Sequence, residues 1–257
     1  MFEARDDFAR QLADASGELI LKHFRRRFAV EDKADDSPVT VADKGAERLM
    51  RDMISRAFPD DGIIGEEYGA EREDAEFVWV LDPVDGTRSF IAGLPLFGTL
   101  IAVLWRGKPV IGVINQPYTR ERWIGVIGRP TEMNGAVVKT RPCADLEQAI
   151  LYSTADELMF ADTRDKRRFN ALRDRVKTSR FSTDCYGYAM VASGFGDVVC
   201  EADLKLHDYA ALVPIVTGAG GAMTDWRGGD LFESGDNRVL AVGDARLLPR
   251  LAEVLGE

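Results

Sequence analysis

The chain is expected to fold as a mixed α/β protein with helices and strands in both halves. Three observations carry that expectation. Apolar residues near the N-terminus recur at helical spacing, residues 99–126 form a series of short apolar runs joined by tight turns, and strand-like and helix-like stretches alternate after residue 141. With 257 residues and 46% hydrophobic content, the chain can bury a large core and is not a disordered protein.

The elements follow in order. Phe8, Leu12, Ala15, Leu19 and His23 recur at intervals of four, three, four and four, which predicts an amphipathic helix from Asp6 to Phe24. The Arg25–Arg27 cluster complements its carbonyl end. Residues Val30 to Pro38 lose periodicity and gain charge, so they read as a loop, with Lys33 inside it. Thr40 caps a second helix ended by Pro59, and Asp43 lies in its first turn, where an acid is favourable in any helix. Ile63 and Ile64 form a short strand from which Glu66 and Glu67 emerge.

A buried strand is expected at Phe77 to Leu81. It leads into a turn, DPVDGT, from Asp82 to Thr87. Thr99–Trp105, Val110–Pro117 and Arg120–Val126 then read as an antiparallel meander, with one more strand at Val137–Thr140. The character changes near Thr140–Pro142, which divides the chain into an N-terminal α+β half, 1–140, and a C-terminal α/β half, 141–257. In the second half, strands are expected at Ala149–Thr154, Gly196–Glu201, Ala222–Trp226 and Val239–Gly243. Helices are expected at Lys166–Val176, Cys185–Ser193, His207–Gly218 with a kink at Pro214, and Arg246–Leu255.

Charge and composition exclude several functions. A net charge of -10 argues against binding through nucleic-acid phosphates. Three cysteines without C-x-x-C spacing argue for a reducing compartment. The absence of a signal-like N-terminus or a long apolar run points to a cytoplasmic protein without a membrane partner. Two histidines without metal-ligand spacing make zinc a poor fit.

The acids define the chemistry. A D-P-x-D-G-T turn after a strand is either a solvated acidic turn or a cation holder, and Thr87 directly after the acids favours the second. Glu66, Asp82, Asp85 and Asp208 all stand at element ends, from which they can converge. Clustered carboxylates repel unless a cation lies between them, and oxygen-only ligands select magnesium, manganese or calcium.

Glu66-Glu67, D-P-V-D-G-T at Asp82–Thr87, and Asp208 ahead of Ala219-Gly220-Gly221 together resemble the inositol monophosphatase superfamily of magnesium-dependent, lithium-sensitive phosphatases. The resemblance spans nearly the whole chain. It implies a layered α/β/α/β/α sandwich, commonly dimeric, with two or three Mg²⁺ ions per site. By position, Glu66, Asp82, the Val84 carbonyl, Asp85 and Asp208 resemble the metal ligands, with Glu67 near a second or third ion. Thr87 and Asp43 resemble the pair that activates the attacking water, with Glu66 joining them in catalysis. Lys33 falls in the loop that covers the site in relatives. The amides of Gly86, Thr87 and Arg88 are expected to cradle phosphate; the Arg88 side chain contacts phosphate or forms a structural ion pair.

The departures from the inositol enzymes point to a branch. D-G-T-R-S-F replaces D-G-T-T-N-F, His207 stands where tryptophan is usual, and the stretch from Ser182 to Val216 is similar to the histidinol-phosphate phosphatase branch. An acidic pocket complements a substrate that carries an amine and an imidazole. Glu201 aligns with a substrate-facing glutamate, and Asp184 is either a second substrate contact or the cap of the helix near Cys185. The expected reaction is hydrolysis of L-histidinol phosphate. The alternatives are an inositol monophosphatase, a 3′(2′),5′-bisphosphate nucleotidase, and a non-catalytic metal-binding protein of the same fold.

Overall fold

Two helices open the chain, α1 (Glu3–Leu21) and α2 (Val41–Ala57), separated by the paired strands β1 (Val30–Asp32) and β2 (Pro38–Thr40). The computed structural model describes residues 2–26, 30–32, 38–155, 160 and 162–256. Lys33 lies outside the described residues. The segment expected to be a loop throughout instead pairs its two ends as antiparallel strands.

The first sheet has eight strands: β3 (Gly62–Gly65), β4 (Gly69–Glu71), β5 (Phe77–Asp85), β6 (Gly98–Trp105), β7 (Lys108–Gln116), β8 (Glu121–Val126), β9 (Glu132–Met133) and β10 (Ala136–Val137). Its order is β10-β9-β8-β7-β6-β5-β3-β4. The expected meander is present as β6, β7 and β8, all antiparallel, whereas β3 runs parallel to β5. The strand expected at Val137–Thr140 ends at Val137, because it begins earlier and hairpins onto β9. Between β5 and β6 lies the short helix α3 (Thr87–Ile91).

The second sheet is mixed and five-stranded: β11 (Ile150–Tyr152), β12 (Thr178–Arg180), β13 (Val198–Glu201), β14 (Ala222–Thr224) and β15 (Val239–Val242), in the order β12-β11-β13-β15-β14. Its helices are α4 (Thr163–Arg173), α5 (Asp184–Ala192), α6 (Leu206–Tyr209), α7 (Leu212–Gly218), α8 (Leu231–Ser234) and α9 (Leu248–Gly256).

Alternation along the strands explains the layers. Trp79, Leu81, Ile101 and Val103 pack on Leu12, Met50 and Ile54 of α1 and α2, whereas Val78, Val80, Leu100 and Ala102 face α5 and α7. Across α5 and α7, Val199 and Ala241 of the second sheet join the same core. Val198, Cys200 and Leu240 point the other way, onto α4 and α9. The order is therefore α/β/α/β/α. Because both sheets are covered on both faces, their central strands read as continuous apolar runs. Gly112 and Gly125 let α7 lie directly on β7 and β8: an added Cβ at Gly112 would meet the Pro214 ring at 2.8 Å.

The helix expected at His207–Gly218 is two helices, and the break falls at Ala210–Ala211 rather than at Pro214. Pro214 is in the first turn of α7, where a missing amide breaks no helical hydrogen bond. No helix among the described residues is long and apolar enough to cross a membrane.

Candidate active site

The site begins with an irregularity in β5. Asp82 pairs with Leu100 but Asp85 pairs with Gly98, so three steps along β5 oppose two along β6. In a regular strand, residues three apart face opposite ways; the extra residue brings both aspartates to one side. The expected turn at Pro83 is thus an extended, bulged strand. Thr99 Oγ1 donates to the Pro83 carbonyl at 2.9 Å, and Pro83 is tolerated because a bulge removes one ladder bond. The chain reverses at Gly86, whose φ of 78° is left-handed, and α3 starts there.

Carboxylate oxygens of Asp82, Asp85 and Asp208 lie within 4.8 Å of one another. Asp208 reaches them from α6, where its Oδ2 accepts the Lys205 amide at 2.6 Å and His207 Nε2 lies 3.5 Å from its Oδ1. Glu66 follows β3, and its amide donates to the Leu81 carbonyl at 3.1 Å, which sets it beside Asp82. Asp82 is 2% exposed, and its Oδ1 has no hydrogen-bond partner among the described residues. A buried carboxylate oxygen facing other carboxylates fits a cation, whose charge would replace the missing donor. Burial first, then the charges of Glu66, Asp85 and Asp208, hold the Asp82 carboxyl well above its usual range. Burial and then Asp184 do the same to Asp85, and burial raises Asp208 although His207 partly opposes it.

Thr87 and Asp43 come together from α3 and α2. Thr87 Oγ1 lies 3.3 Å from Asp43 Oδ1 and 3.0 Å from the Val84 carbonyl. Asp43 Oδ2 accepts the Thr40 amide at 3.0 Å and the Thr40 hydroxyl, so the same carboxylate closes the capping box of α2. Burial raises its carboxyl above the ordinary value.

A cleft of about 280 Å³ is lined by Glu66, Asp85, Gly86, Thr87, Arg88 and Asp208 together with two more acids, Asp184 and Glu201. Glu201 is 2% exposed; its Oε1 accepts the Thr154 hydroxyl at 2.6 Å and its Oε2 the Tyr188 hydroxyl at 2.8 Å. Burial, only partly offset by those two bonds, pushes its carboxyl up to about 7. Asp184 is not a side-chain cap of α5. Its Oδ2 accepts the Ser89 hydroxyl at 2.6 Å and its φ of 45° is left-handed, uncommon for a residue with a Cβ. The amide of Cys185 in the first turn of α5 is satisfied instead by Asp85 Oδ2, at 2.6 Å.

Arg88 is exposed at the mouth of the cleft. Glu67 does not line it; its amide donates to Glu47 Oε2 at 2.7 Å. Thr154, Tyr188 and Ser89 were not legible as site residues. Ser89 lies inside the D-G-T-R-S-F departure and Tyr188 inside the Ser182–Val216 stretch, so each carries a signal; Thr154 has none.

Helix-covered sheets here bring four carboxylates and a threonine–aspartate pair together, an arrangement that fits a metal-dependent phosphatase. The chain belongs to the inositol monophosphatase family, whose sequence profile matches residues 2–257. It is 48% identical over 253 residues to the chloroplastic bifunctional phosphatase IMPL2 of Arabidopsis thaliana, covering 95% of this chain and 72% of that protein. It is 39% identical over 234 residues to a histidinol-phosphatase of Chlorobaculum parvum, covering 91% and 90% of the two chains. Its fold matches an inositol monophosphatase from Zymomonas mobilis with a TM-score of 0.91 and 42% identity, over 100% of this chain and 99% of that one.

Proposed function

We propose that this phosphatase hydrolyses L-histidinol phosphate to L-histidinol and phosphate, with magnesium at the carboxylate cluster. The observation that carries the reading is the pair of buried acids, Glu201 and Asp184, in the same cleft as the cluster. Two carboxylates complement an amine and a protonated imidazole, whereas a polyol has no cation to offset their desolvation. The similarity to a histidinol-phosphatase at 39% identity supports the same substrate.

In this reading Glu66, Asp82, Asp85, Asp208 and the Val84 carbonyl hold the ions, and Glu67 assists a further one. Two or three Mg²⁺ held there would supply shielding of the ester's charge, a more acidic water and stabilisation of the leaving alkoxide. Thr87, held against Asp43, orients the attacking water and passes its proton toward the Asp43 carboxylate. The first-turn amides at Gly86, Thr87 and Arg88 face the phosphate, and the Arg88 guanidinium at the cleft mouth adds positive charge. Glu201 and Asp184 receive the cationic groups of the alcohol. The halves 1–140 and 141–257 act as one catalytic unit, since the second supplies Asp208, Glu201 and Asp184. We place the enzyme in a reducing compartment such as the cytoplasm, as its cysteine usage favours, and read it as a lithium-sensitive homodimer, as the family resemblance implies.

Phosphate release from L-histidinol phosphate, inositol 1-phosphate and a 3′,5′-bisphosphate nucleotide tests the substrate. The expected result is the highest kcat/KM for L-histidinol phosphate. Faster turnover of inositol 1-phosphate would transfer the assignment to the inositol enzymes.

A further inference from the structure

The backbone that carries Glu66 is held by charged residues of α2. Asp43, Glu47 and Arg51 follow one another at intervals of four along α2 and so lie on one face. Asp43 meets Thr87. One turn on, Glu47 is 0% exposed, and its carboxylate accepts the amide of Glu67 at 2.7 Å and of Tyr68 at 3.1 Å. These are the two amides immediately after Glu66. A further turn on, Arg51 pairs with Glu47 at 2.7 Å and reaches across to Glu71 at 3.0 Å and to the Gly69 carbonyl.

Gly65, the residue before Glu66, has no room for a side chain: an added Cβ would run into the Glu47 carboxylate and approach Arg51 Nη2 at 2.8 Å. The chain therefore touches Glu47 on both sides of Glu66. Glu66 stands in the turn between β3 and the edge strand β4. A carboxylate buried without solvent is costly unless its bonds are satisfied, and here they are satisfied by the backbone that carries Glu66.

We propose that Glu47, neutralised by Arg51, is a positioning residue that fixes Glu66 relative to the Thr87–Asp43 pair, so that α2 sets both the water-activating end and the cation-holding end of the site. The inference rests on the reading of Glu66 as a metal ligand. Partners that orient ligands in this way typically change metal affinity by roughly 10–100-fold when removed.

The test is Mn²⁺ binding to the full chain, followed by the electron paramagnetic resonance signal of free Mn²⁺, with far-UV circular dichroism and Tm alongside. Glu47→Gln keeps the volume but places an amide where two backbone donors require an acceptor charge. Mn²⁺ affinity is expected to fall about 10–100-fold in a folded protein, with KM for L-histidinol phosphate at saturating Mn²⁺ little changed. Glu47→Asp retains the charge beside Arg51 but withdraws it from the amides, and it is expected to shift in the same direction. Unchanged Mn²⁺ affinity in a folded variant overturns the positioning role, as does loss of fold in both variants, which would make Glu47 a determinant of folding alone. Wild-type Mn²⁺ affinity in Asp85→Asn would instead remove the cluster itself as the metal site.

Discussion

Asp85 Oδ2 accepts the backbone amide of Cys185 at 2.6 Å, so a carboxylate at the end of the first sheet caps a helix of the second half. The bond draws α5 to the cleft and brings Asp184 against the turn: a Cβ added at Gly86 would stand 2.8 Å from the Asp184 carboxyl carbon. One residue thus serves both the cluster and the wall of the cleft that Asp184 and Cys185 line.

Asp85→Asn separates these two roles. Asparagine keeps an acceptor for Cys185 but loses the charge, so the fold is expected to persist while metal-dependent turnover falls by at least about two orders of magnitude. Without metal, the variant relieves repulsion among Asp82, Asp85 and Asp208, and its Tm should equal or exceed that of the wild type. The rise in Tm that Mg²⁺ gives the wild type should be lost. An unchanged rate with unchanged magnesium dependence refutes the ligand assignment.

Thr87→Ala removes the hydroxyl that meets Asp43. A kcat lower by roughly 10²-fold with a nearly constant KM is the expected result in steady-state kinetics. Asp43→Ala should cost more, since it also opens the capping box of α2, with about 1 kcal/mol lost from stability in denaturant melts.

Glu201→Gln should raise KM for L-histidinol phosphate more than KM for an aryl phosphate whose leaving group carries no cation, because only the former would place a positive charge beside it. Equal effects on the two substrates would remove Glu201 from recognition of the alcohol.

The same residue predicts a pH dependence of stability. Its carboxyl lies at about 7 in the fold against an ordinary 4.5, so the folded state holds a proton that the unfolded chain releases. That contribution is fully present below pH 4.5 and is lost as pH rises to about 7, amounting to on the order of 3 kcal/mol. Metal-free protein should therefore lose stability across this window, and Glu201→Gln should flatten that part of the curve in urea melts at stepped pH.

Most of the fold was legible because helix and strand periodicities are local. The spacing of Phe8, Leu12, Ala15 and Leu19, and the unbroken apolar run Phe77–Leu81, identify a helix and a buried strand before any partner is known, while the layering was implied only by the family resemblance. Where local cues failed, a packing partner or a short-range bond decided: Pro214 reads as a kink but starts a turn, and the ends of the Val30–Pro38 segment read as loop but pair with each other.

The sequence by itself determined that Asp82, Asp85 and Thr87 lie within six residues, a pattern that fits a solvated turn or a cation holder, and the wider motif set implied the class of chemistry through its resemblance to the inositol monophosphatase superfamily. Only the tertiary structure decided how they face. The bulge against Leu100 and Gly98 turns both aspartates to one side, and Asp208, Glu201 and Asp184 arrive from positions about a hundred residues or more along the chain. Asp184, open between substrate contact and helix cap when read alone, is bonded to Ser89, while Asp85 takes the helix amide. The physical reason is that a strand's own sequence specifies its alternation but not its register. Register is set by the neighbouring strand, and the facing of Asp82 and Asp85 follows from it, whereas Asp208 and Asp184 are placed by helices of the second half.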